Sequence, residues 1–381
     1  MKRCLTFTTA LLASTLATYS AEDPIRPTTH TASPATPQKT VEVCFVLDTT
    51  GSMSDLIEGA KQKIWSMAND IVAAKPQPKV RFGLVAYRDR GDSYVTQVSS
   101  LTDDIDAIHG TLTTFSANGG GDTPESVSEA LHEAVNSMKW STDPEVFRVI
   151  YLVGDAPPQK YDDGKRWQDV CKEATSRDII INTIQCGSIA GTAEAWKAIA
   201  SSAGGAYAAI EQNGNMQHVA APQDEKLQEL NVEMGKTLIP YGDEKRREEV
   251  KLKQKFAEAS DAPSTASRLS YNWKTDKAVQ GKGELLDSIK GGRVDLDDVK
   301  RDELPEDLRG MDKDELKAHV TENQAEREKI QTQIAELVKK RDAFLQGERK
   351  RLAAEGKGDS FDEKVTKTLR EQASAKGVKF E

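Results

Sequence analysis

The sequence predicts an α/β fold: a doubly wound, mostly parallel sheet with one antiparallel edge strand, followed by an α-helical C-terminal region. Three observations predict it. Short apolar runs at 41–47, 80–87, 146–153 and 179–186 have the length and β-branched content of strands buried on both faces. Segments with helical spacing separate most of them, the alternation that builds a parallel sheet. One connection, 88–93, is too short for a crossover and must join an antiparallel pair.

Each element follows from its own residues. The first strand, 41–47, ends at Asp48, Thr50, Gly51 and Ser52. Leu56, Ile57, Ala60, Ile64, Met67, Ala68 and Ile71 then recur at helical spacing until Pro76 and Pro78 stop the helix. The strand 80–87 turns through 88–93 into a short edge strand, 94–98, of alternating character. A helix over 103–115 leads into the glycine-rich loop 116–122. The next helix, 124–138, carries Thr123 as its cap and Pro124 at its first position. The strand 146–153 delivers Gly154 and Asp155. A helix (165–177), a strand (179–186), a helix (192–202), a short strand (206–210) and a closing helix (227–238) complete the domain.

The direction of travel brings three loops to one end of the sheet. If Asp48 marks the top, the loop with Asp122 and Thr123 and the strand end with Asp155 are also at the top. Right-handed crossovers place strand 146–153 beside the first. Ligands of open α/β sheets bind at such carboxyl ends. Asp48, Thr50 and Ser52 are hard oxygen donors, which suit Mg²⁺, Mn²⁺ or Ca²⁺ rather than Zn²⁺. A second reading of this turn makes Ser52 a helix cap with Asp55 as its capping-box partner.

The motifs DTTGS (48–52), GGGDTPES (119–126) and LVGDAPP (152–158), in this order and topology, closely resemble the von Willebrand factor type A domain with a metal-ion-dependent adhesion site. The resemblance spans residues 41–240, and the wording is most similar to the exported bacterial branch. It implies that Asp48, Thr50, Ser52 and Thr123 bind a divalent cation, most simply Mg²⁺, directly or through water, with Asp155 close by. Asp122 is the alternative to Thr123. It further implies that a protein partner supplies an Asp or Glu to the open coordination position.

The totals set the frame. In 381 residues, 37% hydrophobic and 30% charged, more than one domain is expected. The residues before Tyr241 carry 21 basic and 30 acidic side chains, and those from Tyr241 onward carry 31 of each. An acidic front half favours cations and argues against nucleic acid. Residues 1–21, with Lys2 and Arg3 before a modest apolar run, read as a secretory signal peptide, so the chain is expected to be exported, periplasmic or secreted. Residues 22–40, with four prolines, read as a linker. No stretch beyond the signal is expected to span a membrane. Cys44, Cys171 and Cys186 read as buried free thiols.

In the tail, 241–381, residues 244–255 read as a helix, 261–270 as a Ser/Ala/Pro-containing break, 281–298 as short helices, and 312–354 as a long helix capped by Asp312. Its apolar stripe is broken, which fits a helical hairpin or a solvated helix better than a coiled coil. The Arg90-Gly91-Asp92 turn raises self-association, with Asp92 reaching a second molecule's cation. The enzyme alternative is a Mg²⁺-dependent aspartyl-phosphate phosphohydrolase with Asp48 as nucleophile.

Overall fold

Strand β1 (Thr40–Asp48) is buried along nearly its whole length because both of its faces are apolar. The computed structural model describes residues 38–121, 123–213, 219–358 and 360–380; the predicted signal peptide, all but the end of the linker, and Asp122 lie outside them. After β1 come α1 (Ser54–Val72), β2 (Lys79–Tyr87), β3 (Thr96–Thr102), α2 (Ile105–Thr114), α3 (Val127–Asn136), β4 (Phe147–Gly154), α4 (Trp167–Ser176), β5 (Ile179–Cys186), α5 (Thr192–Ser202), β6 (Tyr207–Ile210) and α6 (Asp224–Lys236). The sheet order is β3-β2-β1-β4-β5-β6. All pairs are parallel except β2 with the edge strand β3, as the short turn requires. The register sets Asp48 beside Tyr87 and Gly154 beside Gln185.

The period-2 alternation of β1 divides the core. Val43, Phe45 and Leu47 face α1 and α2, while Cys44 and Val46 face α3, α4 and α5. Trp65 and Trp196 are fully buried on opposite faces, Trp167 is partly buried, and Cys44, Cys171 and Cys186 are buried free thiols.

Several boundaries differ from the sequence expectation. Helix α3 begins at Val127, not Pro124, and Thr123 does not cap it. The reason is a competing backbone pairing: Glu125 N–H donates to Pro157 O (3.0 Å) and Gln159 N–H to Glu125 O (2.7 Å), which holds Glu125 in an isolated bridge outside the helix. The edge strand runs on to Thr102, past the predicted 98, because pairing with β2 continues through an irregular step between Phe82 and Leu84. Ser52 is not a helix cap: a 3-10 turn, Gly51–Met53, precedes α1, which starts without a side-chain cap.

The tail continues with α7 (Glu244–Ala259), α8 (Ala262–Lys274), α9 (Leu285–Lys290), α10 (Glu306–Arg309), α11 (Lys313–Ala354) and α12 (Ser360–Ser374). The segment read as a break is instead the buried helix α8: Asp261 caps it by accepting from Ser264 N–H, and its proline sits in the first turn, where no helical hydrogen bond is lost. Its small residues allow close approach to α6 and α1. Asp312 and Glu315 form the capping box of α11. Helix α11 packs within the chain, burying Ile330, Ile334 and Val338 against α6 and α8. Buried arginines fix it: Arg327 bonds Glu284 (2.9 Å), Asp287 (3.1 Å) and Thr237 O (2.9 Å), and Arg341 bonds Asp224 (2.5 Å).

Helix α6 turns away from the sheet into this bundle. Helix α12 takes the vacated face. Val365, Leu369 and Ala373 join the β1/α1 core, Tyr151 Oη donates to Val365 O (3.2 Å), and Asn182 and Gln372 exchange a pair of amide hydrogen bonds at 2.8 Å. Residues 38–381 are thereby one compact unit.

Candidate metal centre

The carboxyl ends of β1 and β4 lie side by side, and Gly154 lets them approach. A Cβ there would fall 2.4 Å from Tyr87 Oη, 2.9 Å from Asp48 Cβ and 3.0 Å from Asp48 Oδ2. Asp48 is fully buried. Its Oδ1 accepts from Thr50 N–H (2.9 Å) and Thr50 Oγ1 (2.7 Å), an Asx turn that curls 48–52 into a cup. Thr50 Oγ1 lies 3.4 Å from the exposed Ser52 Oγ. Asp155 is buried, its charge is felt at Asp48, and it is linked to the β1 turn through Gln212. The structure therefore brings Asp48, Thr50, Ser52 and Asp155 together. Thr123 is exposed on the neighbouring loop and makes no hydrogen bond to those four among the described residues. Asp122 lies outside the described residues.

The glycine-rich loop is clamped over this cup. Asn118 N–H donates to Thr49 O (3.1 Å) and Gly51 N–H to Gly119 O (3.3 Å). Gly119 and Gly120 both have positive φ, and a Cβ at Gly120 would sit 3.0 Å from Thr50 Cβ and 3.3 Å from Glu125 Oε1. Beneath it the buried Arg88 donates to Thr49 O (3.0 Å), Ser93 Oγ (2.7 Å) and Ser116 O (2.8 Å), joining three loops. The Arg90-Gly91-Asp92 turn is engaged internally. Asp92 accepts from Gly120 N–H (3.2 Å) and Asp89 N–H (3.2 Å). Arg90 pairs with Asp163 (2.7 Å) and Glu129 (3.2 Å) and stacks 3.8 Å over Tyr161.

Whether these residues fit a divalent cation is decided by what the buried oxygens lack. Asp48 Oδ2, Glu125 Oε2 and Tyr87 Oη are all buried without a hydrogen-bond partner among the described residues. Leaving one such group unsatisfied costs about 1–3 kcal/mol, so three beside one another mark a place that wants a ligand. Burial raises the Asp48 carboxyl to about 7, against the two Thr50 hydrogen bonds and with a contribution from Asp155. Burial, followed by the charges of Asp48, Asp89, Asp92 and Asp155, raises Glu125 to about 9. A divalent cation reverses this logic by favouring ionised carboxylates. Among the described residues no three His, Cys, Asp or Glu side chains are arranged to hold a metal by themselves, and the further oxygens at the cup are the hydroxyls of Thr50 and Ser52. An oxygen-only cup with unpaired carboxylate oxygens fits a hard divalent cation.

Sequence reasoning missed Glu125, Tyr87 and Gln212. Glu125 stands two residues beyond Thr123, inside the helix expected over 124–138. It is buried where its backbone pairs with the 157–159 loop. Gln212 left no signal, being one of three consecutive polar residues, 211–213, after a short strand.

Residues 42–216 match the family model of the von Willebrand factor A domain. Among curated proteins, the chain is 24% identical over 164 residues to one described as an ariadne-like RING finger protein of Acanthamoeba polyphaga mimivirus; the match covers 39% of this chain and only 16% of that relative's length. Among solved structures it is similar to proximal thread matrix protein 1 of the mussel byssus, at 18% identity and TM-score 0.34 over 46% of this chain and 43% of that one. One of those structures has a zinc-occupied MIDAS motif. It is also similar to the VWA domain of SpRpn10, at 16% identity and TM-score 0.35 over 48% of this chain and 99% of that one.

Proposed function

We propose that the chain, whose residues 42–216 match the family model of the von Willebrand factor A domain, is a divalent-cation-dependent protein-binding module and not an enzyme. Asp48, Thr50 and Ser52 hold the cation, Mg²⁺ in preference to Mn²⁺ or Ca²⁺, with Asp155 and Glu125 beside them and Thr123 reaching it through water. When bound, the ion supplies a positive centre short of full neutralisation, and an Asp or Glu of a protein partner completes it. The observation that carries this reading is the unpartnered Oδ2 of the fully buried Asp48, next to the equally unpartnered Oε2 of Glu125. Calorimetric titration of Mg²⁺, Mn²⁺ and Ca²⁺ into chelator-treated protein should give saturable binding that Asp48→Ala abolishes. A flat titration of the folded wild type would remove the reading.

The phosphohydrolase alternative is disfavoured by burial. Asp48 is fully buried and its Oδ1 is committed to two Thr50 donors, which leaves little room for in-line attack on phosphorus. Steady Mg²⁺-dependent phosphatase turnover lost in Asp48→Asn would restore it. Self-association through Asp92 is disfavoured as well, since that carboxylate is held by Gly120 and Asp89. An exported location follows from the reading of residues 1–21, and mass spectrometry of the mature protein should find its N-terminus close to residue 22. Among the described residues no helix is long and apolar enough to cross a membrane.

A further inference from the structure

The structure assigns Gln212 as a positioning residue of the cation site: a neutral amide strut that ties Asp155 to the Asp48 turn and sets the site's affinity. This rests on the cation-binding reading above and deepens it. Gln212 Nε2 donates to Asp155 Oδ2 at 2.7 Å and lies 3.2 Å from Ser52 O and 3.8 Å from Met53 Sδ. One amide thus spans the two strand ends between which the cation is placed. The backbone on the Asp155 side is held separately: Thr192 Oγ1 donates to Asp155 O (2.9 Å) and Trp196 Nε1 to Ala156 O (3.0 Å). Among the described residues, the Asp155 carboxylate itself has Gln212 as its one hydrogen-bond donor.

A second position makes room for this reach. Gly187 has φ +66°, and a Cβ there would lie 2.1 Å from Gln212 Oε1. The end of β5 is therefore built to let the amide pass. The chemistry of the donor matters too. A lysine or arginine in this place would neutralise Asp155 and repel a divalent ion, whereas an amide N–H fixes the carboxylate without cancelling its charge. Partners of this kind, standing behind a metal's own ligands, typically govern 10–100-fold of affinity.

The test compares Gln212→Met and Gln212→Ala with the full-length wild type, using Mn²⁺ alone as probe. Methionine keeps the length and the contact with Met53 but has no N–H. Both variants should bind Mn²⁺ about tenfold more weakly by calorimetry. Both should give an altered electron paramagnetic resonance spectrum of the bound ion, because Asp155 loses its fixed orientation. Their melting temperatures in chelator should stay within about 2 °C of the wild type. A Gln212→Met protein with wild-type affinity and spectrum overturns the proposal, and so does a large loss of melting temperature without cation, which would make Gln212 a general fold contact. Wild-type protein that binds no Mn²⁺ overturns the cation reading and this proposal with it, a result separable from failure of the strut alone.

Discussion

At the scale of single residues, the cup at the top of the sheet trades stability against ligand binding. Asp48 and Glu125 have folded-state proton affinities well above those of free carboxyl groups, at about 7 and about 9. At these two groups the folded protein therefore holds more protons than the unfolded chain, and raising the pH through their range removes their share of the stability. In chelator, the wild-type melting temperature should lose ground as pH rises from 5 to 9 relative to a protein carrying Asp48→Asn and Glu125→Gln. Asp48→Asn should flatten the lower part of that fall and Glu125→Gln the upper part. Cation binding should release protons and raise the melting temperature more at pH 8.5 than at pH 5, measurable by calorimetry in two buffers of different ionisation enthalpy. Parallel pH profiles for the wild type and the variants without cation would contradict the assignment. Glu125→Gln should also weaken Mg²⁺ binding at least tenfold, since a charged donor becomes neutral. Gly154→Ala brings a Cβ to 2.4 Å from Tyr87 Oη, and the overpacking should cost about 1–3 kcal/mol in urea denaturation.

At the scale of elements, the strands were legible in the sequence because central parallel strands are continuous apolar runs, and 179–186 was placed to the residue. The top-face convergence of Asp48 and Asp155 followed from counting directions along the chain. What escaped was long-range competition. The start of α3 moved three residues because Glu125 pairs with the 157–159 loop, a bond no local rule reports. Helix α8 looked like a break because Pro263 and its Ser and Thr residues are weak helix formers, yet small side chains are what its crowded position needs. Thr123 was legible as a hydroxyl in the right loop, and Glu125 was not, because its burial arises from that non-local pairing. The bundle rests on buried ion pairs. Arg327→Met leaves Glu284 and Asp287 unpaired and should destabilise by about 3–5 kcal/mol in denaturant unfolding.

At the scale of the whole molecule, the stretch that matches the family model and the part that folds are not the same. The sheet face over β4 and β5 is closed by α12, more than 140 residues beyond the last matched position, 216. A fragment of residues 38–240 keeps the cation-site residues but exposes Tyr151 and the neighbouring apolar face. It should bind a hydrophobic dye and lack a sharp thermal transition, whereas the full chain should unfold cooperatively. Tyr151→Phe, which loses the hydroxyl bond to α12, should cost only about 0.5–1.5 kcal/mol.

The docking of α12 also has a consequence in time. A chain is made from its N-terminus, and β1 ends at residue 48 while α12, the helix that seals its sheet, begins only at residue 360. Such distant contacts slow folding and leave apolar strands unprotected until they close. The sheet would thus stay open on this face until α12 is made, and a chain cut short before residue 360 should be digested by proteases faster than the full chain.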